Sequence, residues 1–144
     1  MTCTFFGHKD TPDAIEPTLK DTLIKLIEEN GVDTFYVGNQ GNFDHMVARI
    51  LKELKTTYDI DYSIVLAYLP SNSDNNDYGN TLYPEGLENI PLRFSINYRN
   101  TWMVDSADYV VCYVTTSFGG AYKFKALAEK RGKIVINIAK EKRL

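Results

Sequence analysis

A chain of 144 residues that is 44% hydrophobic and 24% charged has the size and composition of one soluble globular domain. Its formal net charge of −3 argues against a general nucleic-acid binder, because such proteins usually carry a basic excess. No apolar stretch approaches the roughly 20 residues that span a bilayer, and no basic region precedes an apolar one at the N-terminus. The sequence therefore predicts a cytoplasmic protein with no membrane partner.

Strands and helices are predicted to alternate along the chain. The strands are predicted over residues 3–6, 34–37, 63–69, 109–114 and 134–138. Helices with one apolar face separate them, the first ending at Asn30-Gly31, the second beginning at Asn42 as N-cap and the third spanning residues 99–106. Five alternating strands predict a single α/β domain over residues 1–144, with a mainly parallel sheet and helices on both faces.

Two regions depart from simple alternation. The run over residues 109–114 is continuously apolar, which predicts a strand buried on both faces. Residues 71–86 are rich in Ser, Asn, Asp and Gly and predict one long loop. Such loops are usually functional or disordered, so this one is either a lid over a site or a solvated excursion.

Cysteine and histidine are too sparse for a metal centre. Cys3 and Cys112 both fall in predicted strands, where cysteine is commonly a small buried hydrophobe. A disulfide is disfavoured in the cytoplasm, and the two histidines do not have the spacing of a zinc site. We expect free thiols, no metal and no cofactor.

Glycine-bearing turns follow three of the predicted strands. Their sequences are Gly7-His8-Lys9, Gly38-Asn39-Gln40-Gly41 and Thr115-Thr116-Ser117-Phe118-Gly119-Gly120. Glycine lets a ligand approach the backbone, and a helix N-terminus favours negative charge, so a turn between a strand and a helix is suited to bind an anion. Because ligands of parallel sheets bind beyond the carboxyl ends of the strands, the three turns predict a pocket for a phosphate-bearing ligand.

Well-known nucleotide and hydrolase signatures are absent from the sequence. There is no Gly-x-x-x-x-Gly-Lys-Ser/Thr, and no Gly-x-Gly-x-x-Gly follows the first strand, which disfavours a P-loop enzyme and a standard dinucleotide-binding domain. A Gly-x-Ser-x-Gly elbow is also missing, so a Ser-His-Asp hydrolase is not expected.

Four motifs follow one another along the chain: Thr4-Phe5-Phe6-Gly7-His8-Lys9, Gly38-x-x-Gly41-x-Phe43-Asp44, Arg99-Asn100-x-Trp102-Met103-Val104-Asp105-x-x-Asp108 and Gly119-Gly120-Ala121-x-Lys123-Phe124. Together they resemble the SLOG superfamily, most closely its small bacterial branch with a Thr-Phe-x-Gly-His-Arg start. The resemblance implies a Rossmann-like three-layer domain that binds nucleotides or nucleotide derivatives. It also implies relatives that include the LOG phosphoribohydrolases and a DNA-processing protein, and it allows a homo-oligomer.

The chain departs from the LOG pattern at its catalytic position. Arg99 and Gly119-Gly120 fit that pattern, but Tyr122 and Lys123 stand where it has Gly and Thr. Ala126 replaces the catalytic Glu. Cleavage of an N-glycosidic bond is suited to carboxylates, so LOG-type hydrolysis is not carried over. Asp44 is the nearest substitute by motif position, and it can instead interact with the start of its own helix.

Each polar candidate has a functional and a structural interpretation. His8 is expected to contact a phosphate or a nucleobase, to act as a general acid or base, or instead to hydrogen-bond the loop in place. Arg99 is either a two-nitrogen phosphate clamp or a surface charge. Lys9 and Lys123 are either phosphate partners or ordinary exposed lysines. Thr115 and Ser117 either donate hydrogen bonds to a phosphate or cap the turn. Trp102 either stacks on a base or packs under the sheet.

These observations support two functions of different classes. The first is a binding module, a sensor or carrier for a nucleotide or nucleotide derivative, held by Gly7, His8, Lys9, Gly38, Gly41, Arg99, Thr115, Ser117, Gly119, Gly120 and Lys123. The alternative is a hydrolase or transferase that acts on an N-glycosidic or phosphate bond through His8 or Asp44.

Overall fold

The computed structural model describes residues 1–68 and 80–141, and within them it forms one parallel sheet between two layers of helices. The strands are β1 (Thr2–Gly7), β2 (Thr34–Val37), β3 (Asp61–Val65), β4 (Thr81–Leu82), β5 (Tyr109–Tyr113) and β6 (Ile134–Asn137). The helices are α1 (Glu16–Asn30), α2 (Asn42–Leu54), α3 (Ser95–Ser106), α4 (Gly120–Lys130) and a short α5 (Ile138–Glu141). The predicted α/β class and Rossmann-like layering are confirmed.

The sheet has six strands in these residues where the sequence predicts five. Strand β4 lies inside the segment predicted as loop and pairs with β3, Ile64 opposite Thr81 and Val65 opposite Leu82. Two residues carry no apolar run from which a strand could be recognised, so the sequence pattern misses it. Residues 71–79 of the predicted loop, and with them the question of a lid, lie outside the described ranges.

Two apolar cores cover the two faces of the sheet. Alternate side chains of β1 point to opposite faces, so Phe5 packs with α1 and α2 whereas Phe6 packs with α3 and α4. The run over β5 divides in the same way, with Val111 in the first core and Val110 in the second. All four side chains are under 9% exposed, which confirms a strand buried on both faces.

The two free cysteines are buried on opposite faces of the sheet. Cys3 belongs to the α1–α2 core and Cys112 to the α3–α4 core. Burial raises the pKa of both thiols, to about 12 at Cys112. Both are structural residues, as the sequence predicts.

The strand order β4-β3-β2-β1-β5-β6 reverses its direction between β1 and β5. The chain runs outward from β1 through β2 to β4 and then crosses to β5 on the other side of β1. Gly7 and Tyr113, the last residues of β1 and β5, lie opposite each other, so these two strands end at the same level. Ligands of such sheets bind at this reversal, and the fold therefore places its crevice beside Gly7.

Among the described residues, no helix combines the length and the apolar character needed to cross a membrane.

Candidate functional site

A cleft of about 420 Å³ opens at the carboxyl end of β1, beside α2, α3 and the start of α4. This volume falls in the range of roughly 300–1,000 Å³ that is usual for small-molecule sites. One part of its wall is apolar, formed by Phe6, Ile96, Met103 and Ala121. The polar groups that reach it come from four elements: His8, Lys9 and Asp10 after β1, Gln40 and Asp44 around the start of α2, Arg99 and Asn100 on α3, and Gly120 on α4.

Three of the five predicted ligand-binding glycines are packed against other parts of the chain. A Cβ at Gly7 would stand 2.2 Å from Cγ of Phe43, and one at Gly41 would stand 2.6 Å from Cα of Lys9. A Cβ at Gly38 would stand 2.9 Å from Oδ2 of Asp44. The absence of a side chain at these positions lets neighbouring segments pack closely against the backbone. Gly7 nevertheless contributes to the wall of the cleft.

Gly119 and Gly120 differ because no atom stands within 4 Å of a Cβ built at either one. Gly119 precedes α4 with φ 94° and ψ 176°, a conformation that glycine adopts far more readily than other residues. Gly41 precedes α2 with nearly the same backbone, φ 93° and ψ −176°, so Gly41 rather than Asn42 is the N-cap. The two helices thus begin alike, but only the start of α4 is open.

The first turn of α4 leaves its amide groups free. The N–H groups of Gly120, Ala121 and Tyr122 donate to no acceptor in the described chain, and Gly119 has no side chain that could cap them. At α2 one of the corresponding amides is taken, because the Lys9 carbonyl accepts the Asn42 N–H at 2.8 Å. Asp44 in the same turn accepts the N–H of Gln40, which precedes the helix, at 2.9 Å. Free amides and the helix dipole make the start of α4 favourable for an anion.

Arg99 is a buried cation, only 2% exposed, and not the surface charge that the sequence left open. Its Nε donates to Asn100 at 2.7 Å, and its Nη1 donates to the Val65 carbonyl at 2.7 Å and to Asn39 at 3.2 Å. Nη2 has no acceptor among the residues that the structure describes. The sequence suggested that two nitrogens of Arg99 could clamp a phosphate, but Nε and Nη1 are already engaged. Only Nη2 remains for a ligand.

The carboxyl of Asp44 lies near Arg99 without pairing with it. Both approach Gly38, where an added Cβ would stand 2.9 Å from Asp44 Oδ2 and 3.2 Å from Arg99 Nη1. No carboxylate oxygen of the described residues lies within 4.0 Å of the guanidinium. Burial raises the pKa of Asp44 to about 6, against the opposing effects of the Gln40 N–H and the Arg99 charge. Burial likewise lowers the pKa of Arg99, and Asp44 opposes that shift.

His8 is held by the neighbouring strand end. Its Nε2 accepts the backbone N–H of Thr115 at 3.0 Å, and its ring meets Tyr113 edge to face with centroids 6.2 Å apart. Nε2 must be unprotonated to accept this bond. This bond gives His8 a structural role, in which it holds the segment after β5, and His8 also lines the cleft, so a contact between His8 and a ligand stays a prediction.

The remaining predicted residues differ in position. Lys9 lies at the rim of the cleft with an exposed side chain. Lys123 donates from Nζ to Asn97 at 2.8 Å and does not line the cleft. Thr115 and Ser117 are exposed and lie outside the lining, although the Thr115 amide is the partner of His8.

Sequence reasoning did not assign roles to Asn39 and Asn100, which fix Arg99, or to Phe43, which fills the space beside Gly7. Asn39 and Asn100 lie inside the recognised motifs, so their positions were visible, but an amide that orients a buried arginine has no local signature. Trp102 packs against Tyr36 with ring centroids 5.0 Å apart, as the structural interpretation requires.

No protein-family model matches this sequence, and no curated protein is significantly similar to it.

Proposed function

We propose that this protein binds a nucleotide or nucleotide-derived ligand in the cleft, as a sensor or carrier module. The observation that carries the proposal is the open start of α4, whose free amides border a cleft that the buried Arg99 also lines. A phosphate accepts hydrogen bonds from such amides and is favoured by the helix dipole.

The apolar wall supports a ligand with a second, uncharged part. Phe6, Ile96, Met103 and Ala121 form a surface against which a base can lie, and a free inorganic anion would leave it unused. The cleft lies at the reversal of strand order, where open parallel sheets bind their ligands. The same residues carry the resemblance to the SLOG superfamily, so we extend the proposal to membership of that family. A cytoplasmic location and a homo-oligomer stay predictions.

Calorimetric titration with nucleoside 5′-monophosphates, nucleoside diphosphates, NAD and inorganic phosphate tests the proposal. We expect at least one nucleotide to bind the wild type and to bind Arg99→Lys about tenfold more weakly or worse, because hydrogen bonds to charged groups contribute roughly 1.5–3 kcal/mol. Arg49→Lys is the matched control, since Arg49 forms an exposed ion pair with Glu16. A folded wild type that binds none of these compounds overturns the proposal.

A second function, hydrolysis or transfer at an N-glycosidic or phosphate bond, is favoured by Asp44. A carboxyl in a cleft with a pKa of about 6 is suited to proton transfer near neutral pH. Incubation with nucleoside monophosphates and NAD, followed by chromatography for free base or phosphate, tests it. Intact substrates at high protein concentration would exclude this function and leave the binding proposal standing.

A further inference from the structure

We propose that Asp44 and Arg99 together recognise sugar hydroxyl groups, so that the cleft selects ribonucleotides over their 2′-deoxy counterparts. The inference rests on the proposed function and specifies the class of ligand. It assigns the phosphate to the start of α4 and the sugar to the Asp44–Arg99 side of the cleft.

The first argument is the arrangement of the two charges around Gly38. Asp44 Oδ2 and Arg99 Nη1 both lie within 3.2 Å of the point where a Cβ of residue 38 would stand, yet no ion pair within 4.0 Å joins them. A glycine at this position lets the carboxylate of Asp44 on α2 and the guanidinium of Arg99 on α3 approach the same point. Two buried charges that stop short of pairing leave hydrogen-bonding capacity for a third group.

The second argument is that each side chain keeps one polar atom for a ligand. Asp44 Oδ2 is taken by the Gln40 N–H, while Oδ1 has no donor in the described chain. Arg99 Nε and Nη1 are taken, while Nη2 has no acceptor there. No fully buried side-chain nitrogen or oxygen of the described residues lacks a partner, which agrees with Oδ1 and Nη2 facing the cleft that both residues line.

The third argument concerns which ligand group can use both atoms. A phosphate accepts a hydrogen bond from Arg99 but is repelled by an ionised Asp44. An ammonium group donates to Asp44 but is repelled by the charge of Arg99. A hydroxyl donates to the carboxylate and accepts from the guanidinium, and a vicinal diol does both at once.

The wild type tests this inference without any substitution. Adenosine, guanosine, cytidine and uridine 5′-monophosphates are titrated calorimetrically, each against the 2′-deoxy compound with the same base. We expect the ribonucleotide to bind about tenfold more tightly or better, because a site built to hydrogen-bond a hydroxyl leaves its own polar groups unpaired when the hydroxyl is missing. Equal affinity within a pair overturns the inference while the proposed function survives. Absence of binding by every compound overturns the proposed function as well.

Asp44→Asn identifies the residue responsible. The Asn oxygen can still accept the Gln40 N–H, which turns the amide nitrogen, a donor, toward the cleft. We expect the ribo-to-deoxy ratio to fall below about threefold, because the ribonucleotide loses more affinity than the deoxy compound. Asp61→Asn is the matched control, because the Asp61 side chain is 86% exposed, and it should keep the wild-type ratio. Equal losses for both compounds in Asp44→Asn would show a merely structural role and overturn the assignment.

Discussion

The imidazole Nε2 of His8 accepts the backbone N–H of Thr115 at 3.0 Å and so joins the segment after β1 to the segment after β5. The first of these segments lines the cleft, and the second leads to Gly120, which also lines it, at the reversal of strand order. A histidine in the first turn therefore holds together the two strand ends between which the ligand is proposed to enter.

Replacing His8 with Phe keeps a ring beside Tyr113 and removes the acceptor. We expect the Thr115 amide to exchange its hydrogen about fivefold faster or more, because a hydrogen bond contributes roughly 1 kcal/mol. Hydrogen exchange followed by NMR measures this, and the Val114 amide is an internal control, since it donates to Asn137 at 3.1 Å. Unchanged exchange at Thr115 would show that the bond is not formed in solution.

Replacing Gly7 with Ala places a methyl group 2.2 Å from Cγ of Phe43. We expect the free energy of unfolding to fall by about 1–3 kcal/mol, the usual effect of overpacking. Urea denaturation measures it. The double variant Gly7→Ala/Phe43→Leu should lose less unfolding free energy than the sum of the losses in the two single variants, because the smaller side chain relieves the clash. A neutral Gly7→Ala would contradict the packing role given to this glycine.

Replacing Gly120 with Ala separates ligand binding from stability. Nothing lies within 4 Å of the added methyl group, and Gly120 has the ordinary backbone of a first helical residue, so we expect a gain of about 0.5 kcal/mol in unfolding free energy. Nucleotide affinity should nevertheless fall, because the methyl group stands beside the amides to which we assign the phosphate. Denaturation and calorimetry on the same variant measure the two effects.

Gly119→Ala is the comparison for that variant. It also meets no neighbour, but φ is 94°, so we expect a loss of about 1–2 kcal/mol from backbone strain alone. Wild-type nucleotide affinity in Gly120→Ala would mean that the ligand does not lie against the start of α4.

Replacing Asp44 with Asn should stabilise the protein above pH 6. The pKa of Asp44 is about 6 in the folded protein against 3.8 for the free side chain, so the folded state binds this proton more tightly. Stability attributable to Asp44 therefore falls as pH rises from about 4 to 6, by about 3 kcal/mol at most, since each pK unit corresponds to 1.36 kcal/mol.

The stabilisation by Asp44→Asn should be complete at pH 8 and vanish below pH 4, where the carboxyl is protonated in both states. Urea denaturation across this pH range measures it, with the exposed Asp61→Asn as control. A gain in unfolding free energy by Asp44→Asn that does not change with pH would contradict the burial of an ionised Asp44. A residue that lowers stability at neutral pH is retained more readily for ligand binding than for folding.

Local pattern predicted the fold well and the use of its glycines poorly. Continuous apolar runs and helical spacing depend on a residue's own neighbours in the chain, so β5 and the layers on both sides of it were predictable. The crowding at Gly7 comes from Phe43, more than thirty residues away, and the crowding at Gly38 comes partly from Arg99. Such contacts do not appear in a local motif, and a glycine that serves packing looks the same in sequence as one that serves a ligand.

The same limit applies to Arg99. Its motif marked the residue, and the pattern placed the start of its helix at residue 99, whereas α3 begins at Ser95. The first turn of α3, residues 95–98, holds a single aliphatic residue, Ile96, which is too little for the sequence to show a helical period there. The hydrogen bonds from Arg99 to Asn39 and to the Val65 carbonyl cross from α3 to the ends of β2 and β3, and only the folded chain brings these groups together.

The matching backbone of Gly41 and Gly119 has a consequence for the direction in which a ligand can lie. Two helices begin with similar backbone beside the cleft, but at α2 the carbonyl of Lys9 accepts the first helical N–H and Asp44 adds a carboxylate, whereas no group of the described chain accepts the N–H of Gly120 at α4. The open start of α4 therefore suits the anionic end of a ligand, and we expect the other end to extend toward Asp44 on α2. The two ends of the cleft thus differ in charge. A ligand with an anionic group at each end would meet the carboxylate of Asp44 at the α2 end, where its second anion needs hydrogen-bond donors.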